Sequence, residues 1–129
     1  MVNSILIGKL IYKLLHNDNN ITNYVGTQIY PLVAEFDTKF PFITYTRDSV
    51  NSISCKDGYY EDNVTFSINI VSSNYLESLE IANIVRQIFE KNKIINDDIT
   101  LFNVTLSSIN EEYNNDAYVQ TLTFNCTAQ

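Results

Sequence analysis

The residues that most often carry enzymatic chemistry are few in this sequence. His16 is the only histidine, so a site with two histidine ligands is excluded and a catalytic triad would depend on this residue alone. The three glycines are scattered and build none of the glycine-rich motifs that bind phosphate. We expect no catalytic residue, no cofactor and no metal site, and we expect His16 to lie at the surface near a helix end. The protein is predicted not to be an enzyme.

The two cysteines offer no obvious chemistry either. Cys55 and Cys126 lie 71 positions apart, which matches no metal-binding spacing. The sequence shows no signal peptide and lacks the dense cysteine pattern of secreted domains, so we expect reduced, buried thiols in a cytoplasmic setting. No uncharged stretch approaches the length of about 20 residues that crosses a membrane, and no membrane partner is expected.

Carboxylate side chains gather in three short clusters, each at a predicted turn or strand end. None has the alternating spacing around a central glycine that a calcium loop requires. We interpret them as charged surface in contact with water. The clusters are Asp57, Glu61 and Asp62; Asp97 and Asp98; and Glu111, Glu112 and Asp116.

The first cluster contains two adjacent tyrosines in a polar loop. Aromatic rings with polar tips are enriched where proteins meet, although one ring could instead pack beneath its own loop. We predict a subunit or partner interface at this loop, formed by Asp57, Tyr59, Tyr60, Glu61 and Asp62.

Uncharged polar residues recur on the predicted strands. They are typical of solvated β surface, but they could also lie against a neighbouring subunit, because neutral polar groups lose water more cheaply than charges. They are Thr44, Thr46, Thr65, Ser67, Asn69, Thr121 and Thr123.

The charge of the chain is negative and unevenly distributed. The 129 residues carry a net charge of −7. Residues 1–56 hold five basic and four acidic side chains, whereas residues 57–129 hold three and eleven. An acidic surface repels nucleic acid, which excludes a sequence-reading DNA-binding protein. The asymmetry could provide two different patches that meet in a head-to-tail assembly.

Hydrophobic periodicity predicts the elements that position these residues. Apolar residues at helical spacing predict a helix over 4–16, with a short helical turn at 21–25. Asn74 caps a second helix, whose buried stripe is predicted as Leu76, Leu79, Ala82, Val85, Ile88 and Phe89.

Alternating residues predict strands at 28–32, 41–48, 64–71, 101–109 and 118–127. Phe102, Val104 and Leu106 are expected to face the core. The order of elements predicts one α+β domain over residues 1–129, in which an antiparallel sheet carries both helices on one face.

Two local strings give the chain a family resemblance. After the first helix comes Val25-Gly26-Thr27-Gln28-Ile29-Tyr30-Pro31, and the next strand begins Phe40-Pro41-Phe42-Ile43-Thr44-Tyr45. With the alternating strand, second helix and final strand pair that follow, the chain resembles the phage tail-completion proteins, also called tail terminators or tail-to-head joining proteins. The resemblance covers nearly the whole chain, and neither string is catalytic.

The resemblance implies a structural virion protein at the head–tail junction. Members of such a family form a homo-oligomeric ring, typically a hexamer, that stops polymerisation of the tail tube and joins the tail to the head. The implied partners are other copies of the chain, the tail tube protein and a head-completion or connector protein, with genomic DNA passing through without sequence-specific binding. The alternative is a small-molecule-binding domain with a curved sheet, which should show an apolar cavity between helices and sheet.

Overall fold

Three α-helices and one β-sheet make up the residues that the computed structural model describes, 2–54 and 60–129. A 3₁₀ turn at Ser4–Leu6 leads directly into the first helix. The third helix begins after Asn74, whose Oδ1 accepts a hydrogen bond of 3.0 Å from the backbone N–H of Glu77. The helices are α1 (Ile7–His16), α2 (Asn19–Val25) and α3 (Tyr75–Phe89).

The sheet has six strands in the spatial order β1-β2-β3-β6-β5-β4. Neighbouring strands are antiparallel except for β1 and β2, which run parallel. The near-neutral first part of the chain therefore supplies one edge of the sheet, and the acidic last part supplies the other. The strands are β1 (Ile29–Pro31), β2 (Phe42–Ser54), β3 (Tyr60–Ser72), β4 (Lys93–Ile95), β5 (Thr100–Asn114) and β6 (Ala117–Ala128).

One face of the sheet, called here the covered face, carries the helices and the hydrophobic core. At its centre lie Phe66 on β3, Phe89 on α3 and Phe124 on β6, all fully buried. Their ring centroids are 5.2 to 5.7 Å apart. Around them pack the apolar residues of α1, α2 and the alternate positions of the central strands. The covered face therefore holds the apolar burial that stabilises the fold.

The predicted α+β class and the position of the helices on one face are confirmed. The inward side of β6, Leu122, Phe124 and Cys126, is also confirmed, and so is the cap of α3 by Asn74. The helical turn predicted at residues 21–25 is the end of α2, so the domain has three helices. The short strand β4 was not predicted, and the parallel pair β1–β2 departs from a wholly antiparallel sheet.

Two details of the predicted core are wrong. Leu76 and Leu79 are 68% and 38% exposed, because α3 packs on β3 and β6 and turns a different stripe inward. That stripe is Ser78, Ile81, Ala82, Val85 and Phe89.

The second correction concerns β5. Phe102 is only half-buried, whereas its neighbour Leu101 is fully buried. A register shift between Phe102 and Thr105 interrupts the alternation of side chains, so that Leu101 and Val104 both face the core.

Candidate interaction surfaces

The loop predicted as an interface lies at the beginning of β3. Asp57 and Tyr59 fall outside the described residues, and Tyr60 is described only as the first backbone residue of the strand. The aromatic part of the prediction therefore stays a prediction.

The two acidic members of that loop that the structure describes, Glu61 and Asp62, are engaged within the chain. Glu61 Oε1 accepts a hydrogen bond of 2.6 Å from Nε2 of Gln129. Asp62 is 6% exposed, and its Oδ1 accepts a hydrogen bond of 2.8 Å from the hydroxyl of Ser52. Asp62 thus links β2 to β3, which is a structural contact.

The centre of the sheet face opposite the helices is built from uncharged polar residues, and we call this face the polar face. A further row at its end holds Phe42, Val71, Val119 and Glu112. The strand register aligns the uncharged polar residues in three rows that cross β2, β3, β6 and β5. Every member of the three rows is a threonine, serine or asparagine. The rows are Thr44, Asn69, Thr121 and Asn110; Thr46, Ser67, Thr123 and Ser108; and Ser49, Thr65, Asn125 and Thr105.

Hydrogen bonds run along the first row of the polar face. Asn69 Nδ2 donates to Thr44 Oγ1 at 3.2 Å, and Asn69 Oδ1 accepts from the hydroxyl of Thr121 at 2.7 Å. One asparagine on β3 thereby joins the strands on both of its sides. Thr44 is only 7% exposed.

The other two rows are bonded in the same way. The hydroxyls of Ser67 and Thr123 lie 3.1 Å apart, and Ser67 also donates to the carboxylate of Asp48. In the third row, Thr65 Oγ1 donates to Asn125 Oδ1 at 2.8 Å. On the three central strands β2, β3 and β6, the described residues place no lysine or arginine on this face. A phosphate backbone would therefore meet hydroxyl and amide groups there but few cations.

A second surface is the connection between β1 and β2, which we call the apolar loop (residues 32–40). Four large apolar side chains are exposed within nine residues: Leu32 (67%), Val33 (73%), Phe36 (94%) and Phe40 (42%). Isolated exposed apolar residues are common, but a cluster of this kind marks a site of interaction.

The apolar loop is held by specific hydrogen bonds. The backbone N–H of Leu32 donates to the carbonyl of Tyr45 at 2.9 Å. The side chain of Gln28 accepts from the N–H of Lys39 and donates to the carbonyl of Pro41, each at 3.1 Å. Leu32 has a φ of 65°, a conformation that costs a branched residue on the order of 1–3 kcal/mol. Strain at an exposed apolar residue is typical of a functional loop.

A third surface lies between α3 and β5, and we call it the α3–β5 groove. Its exposed apolar residues are Leu76, Leu79 and Ile109, the last of which is 46% exposed. A cavity of about 180 Å³ opens here. It is lined by Leu79, Ala82, Asn83, Arg86, Ile109 and Gln120.

The end of the groove is acidic and aromatic. Glu111 accepts a hydrogen bond of 3.0 Å from Nε2 of Gln120 and one of 2.9 Å from the hydroxyl of Tyr75. Both hydrogen bonds lower the pKa of the Glu111 carboxyl, and the one from Gln120 has the larger effect. The same carboxylate raises the pKa of Tyr75. Glu111 is thus held ionised beside a second cavity of about 250 Å³.

The residues considered for catalysis lie apart from one another. His16 is exposed in the last turn of α1 and stacks on Tyr12, with ring centroids 5.3 Å apart. Cys126 is buried on the covered face, and burial raises the pKa of its thiol to about 12. Cys55 lies outside the described residues. Within residues 2–54 and 60–129, no three side chains are placed to hold a metal ion.

Among the described helices, none is long and apolar enough to cross a membrane.

Comparison with known proteins shows a family and a number of solved chains with a similar fold. Residues 9–128 match the family described as tail completion protein gp17. A chain in the solved virion of a native gene transfer agent particle has a TM-score of 0.79 at 16% identity, with coverage of 92% of this chain and 90% of its own. A second solved structure has a TM-score of 0.70 at 10% identity, covering 100% of this chain and 97% of its own. No curated protein matches the sequence.

Proposed function

Because the chain belongs to the tail completion protein gp17 family, and is thus a structural component of phage tails, we propose that it acts at the head–tail junction. There it forms a homo-oligomeric ring, a hexamer, on the head-proximal end of the tail tube. The ring stops polymerisation of the tube and presents the surface to which the DNA-filled head attaches. Its role is structural, without catalysis.

The family match carries this proposal, because it extends over residues 9–128 and so includes the six described strands, α2, α3 and all of α1 except its first two residues. The similar fold of a chain in a gene transfer agent virion supports it. The partners proposed are other copies of this chain, the tail tube protein and a head-completion or connector protein. Assembly takes place in the host cytoplasm.

The polar face supports the passage of DNA through such a ring. Six copies carry a charge of about −42, and phosphate binding requires lysine or arginine that the central rows do not provide. Along the rows, part of the hydrogen-bonding capacity of the hydroxyl and amide groups is already used by neighbouring side chains. These groups therefore bind a passing phosphate only weakly. A ring with its helices outward and its polar face toward the axis would let DNA slide without binding.

The small-molecule alternative has weaker support. The cavities found among the described residues have volumes of about 180 to 330 Å³, at or below the lower end of the range for small-molecule sites. They open at the surface, and the space between helices and sheet is filled by the side chains of Phe66, Phe89 and Phe124.

Light scattering and electron microscopy with the tail tube protein test the proposal. We expect either a particle of about 89 kDa, six times the mass of one 14.8 kDa chain, or a monomer that assembles on tube ends. Tubes polymerised with the chain should be shorter and should carry a ring at one end. A chain that leaves tube length unchanged, binds no tube end and melts at a higher temperature with a small ligand would contradict the proposal.

DNA passage is tested by adding a cation to the polar face. Thr123→Lys places one lysine per subunit in the middle row, whereas the control Gln87→Lys places it on the exposed side of α3. We expect the Thr123→Lys ring to bind duplex DNA at low salt and the control ring not to bind. Equal binding by both variants would show that the polar face does not border the DNA.

A further inference from the structure

The apolar loop and the α3–β5 groove lie toward opposite edges of the sheet. The loop follows β1, the strand at one edge, and the groove lies along β5, beside the other edge. A surface that projects and a surface that recedes, placed on opposite sides of one subunit, are the two halves of a head-to-tail contact.

We propose that the apolar loop of one copy of this chain inserts into the α3–β5 groove of the next copy, with Phe36 as the inserted side chain. The inference rests on the proposed ring and names the contact that closes it. The occupant of the groove is a second copy because the same chain carries both surfaces, and a head-to-tail contact buries both of them.

The cavity in the groove fits one aromatic ring. A cavity of about 150 Å³ lined by apolar side chains binds benzene, and the cavity beside Leu79 and Ile109 measures about 180 Å³. Phe36 is the most exposed large apolar side chain of the described residues, at 94%. Its ring would replace the water that now contacts Leu79 and Ile109, and burial of apolar surface on both sides would favour the contact.

Each surface carries charges of both signs, and Arg86 in the groove already pairs with Glu90 at 3.1 Å. The groove has Arg86 in the wall of its cavity and the ionised Glu111 at its end. The loop carries Glu35 and Asp37 on either side of Phe36, and Lys39 follows. The proposed insertion pairs Lys39 with Glu111 and adds Glu35 or Asp37 to the existing pair of Arg86 and Glu90.

Three variants test the contact, each at an exposed position so that folding is preserved. Phe36→Ser disables the loop, Leu79→Glu disables the groove, and Ile95→Ser removes an equally apolar side chain, 71% exposed, that belongs to neither surface. We expect all three to melt at the wild-type temperature. The first two should lose the ring and run as single chains of 14.8 kDa, whereas the control should keep the ring.

Mixing the two disabled variants distinguishes a head-to-tail contact from a symmetric one. The Phe36→Ser chain still has a working groove, and the Leu79→Glu chain still has a working loop. An equimolar mixture should therefore form a heterodimer of about 30 kDa and nothing larger. If the wild type forms its ring in solution, a mixture that stays monomeric would overturn the proposal.

A crosslinking experiment tests the same contact for the case in which the ring forms only on the tail tube. In a Cys55→Ser background, thiols introduced together by Phe36→Cys and Leu79→Cys should be joined between copies by a short bis-maleimide on tubes. The expected products are multiples of the single-chain mass, up to six, and neither single substitution should give them. Rings that survive both Phe36→Ser and Leu79→Glu would overturn this contact alone, whereas absence of any wild-type ring on tubes would overturn the proposed function.

Discussion

The two faces of the sheet use the same strands for opposite purposes. On β3, Phe66 and Ile68 are fully buried beneath the helices, while Thr65, Ser67 and Asn69 alternate with them on the polar face. The covered face removes apolar surface from water, which is the main source of stability. The polar face makes hydrogen bonds whose net contribution to folding is small, since water competes for the same groups. Stability therefore depends mainly on the covered face, and the polar face is the one that the proposed ring would turn toward DNA.

The largest expected effect tests this division at its centre. Phe66→Ala removes a ring that contacts both Phe89 and Phe124, and it should lower the free energy of unfolding by about 3–5 kcal/mol, because a large cavity remains. Urea denaturation measures the loss. The matched control is Ser67→Ala, the next residue on the opposite face, which should cost about 1 kcal/mol or less. Equal losses for the two variants would mean that the faces do not differ as proposed.

A smaller effect is expected where the covered face turns polar. Gln120 is 2% exposed, and its Nε2 donates to Ser78 and to Glu111. Gln120→Leu removes both hydrogen bonds, and we expect a loss of about 1 kcal/mol near neutral pH. The pKa of Glu111 should then rise toward its ordinary value of 4.5, because Gln120 is the main cause of its lowered pKa.

The sign of the pH dependence follows from that lowered pKa. A carboxyl whose pKa is lower in the folded state stabilises the fold above its unfolded value of 4.5, and this contribution disappears as the pH falls through the lower folded value. The difference in the free energy of unfolding between wild type and Gln120→Leu should shrink as the pH falls through that window, and urea denaturation measures it. Titration followed by nuclear magnetic resonance measures the pKa of Glu111 in each protein. Thr121→Val, on the opposite face, should show no such change. An unaltered pKa of Glu111 in the Gln120→Leu variant would contradict this account.

The covered face could largely be predicted from the sequence, because its pattern is local. The alternation around Phe66 gives a strand with one buried side, and Asn74 with Glu77 gives the start of α3. The exposure of Leu76 and Leu79 could not be predicted, because both fit the helical period and only the angle of α3 on the sheet leaves them uncovered.

The surfaces depend on contacts between distant residues, so the sequence indicated them only in part. Individual threonines and serines were visible as polar strand positions, but their alignment in rows requires the register of β3 between β2 and β6. From the sequence, the apolar loop is predicted to be a polar connection between two strands, because Glu35, Asp37 and Lys39 alternate with its apolar residues. Its exposure follows from hydrogen bonds to Gln28 and Tyr45, which no periodic pattern encodes.

The smallest expected effect concerns the polar face itself, at the pair Thr65 and Asn125. Their side chains hydrogen-bond across β3 and β6 at 2.8 Å, and both are accessible to water. A double-mutant cycle with Thr65→Val and Asn125→Ala should give an interaction energy of about 0.5 kcal/mol, within the range for cross-strand pairs. Urea denaturation of the wild type and the three variants measures it. An interaction above about 2 kcal/mol would place the polar face among the determinants of stability. The expected small value would mean instead that the rows of threonine, serine and asparagine contribute little to folding. The absence of lysine and arginine from these rows would then be better explained by the proposed ring around DNA than by folding.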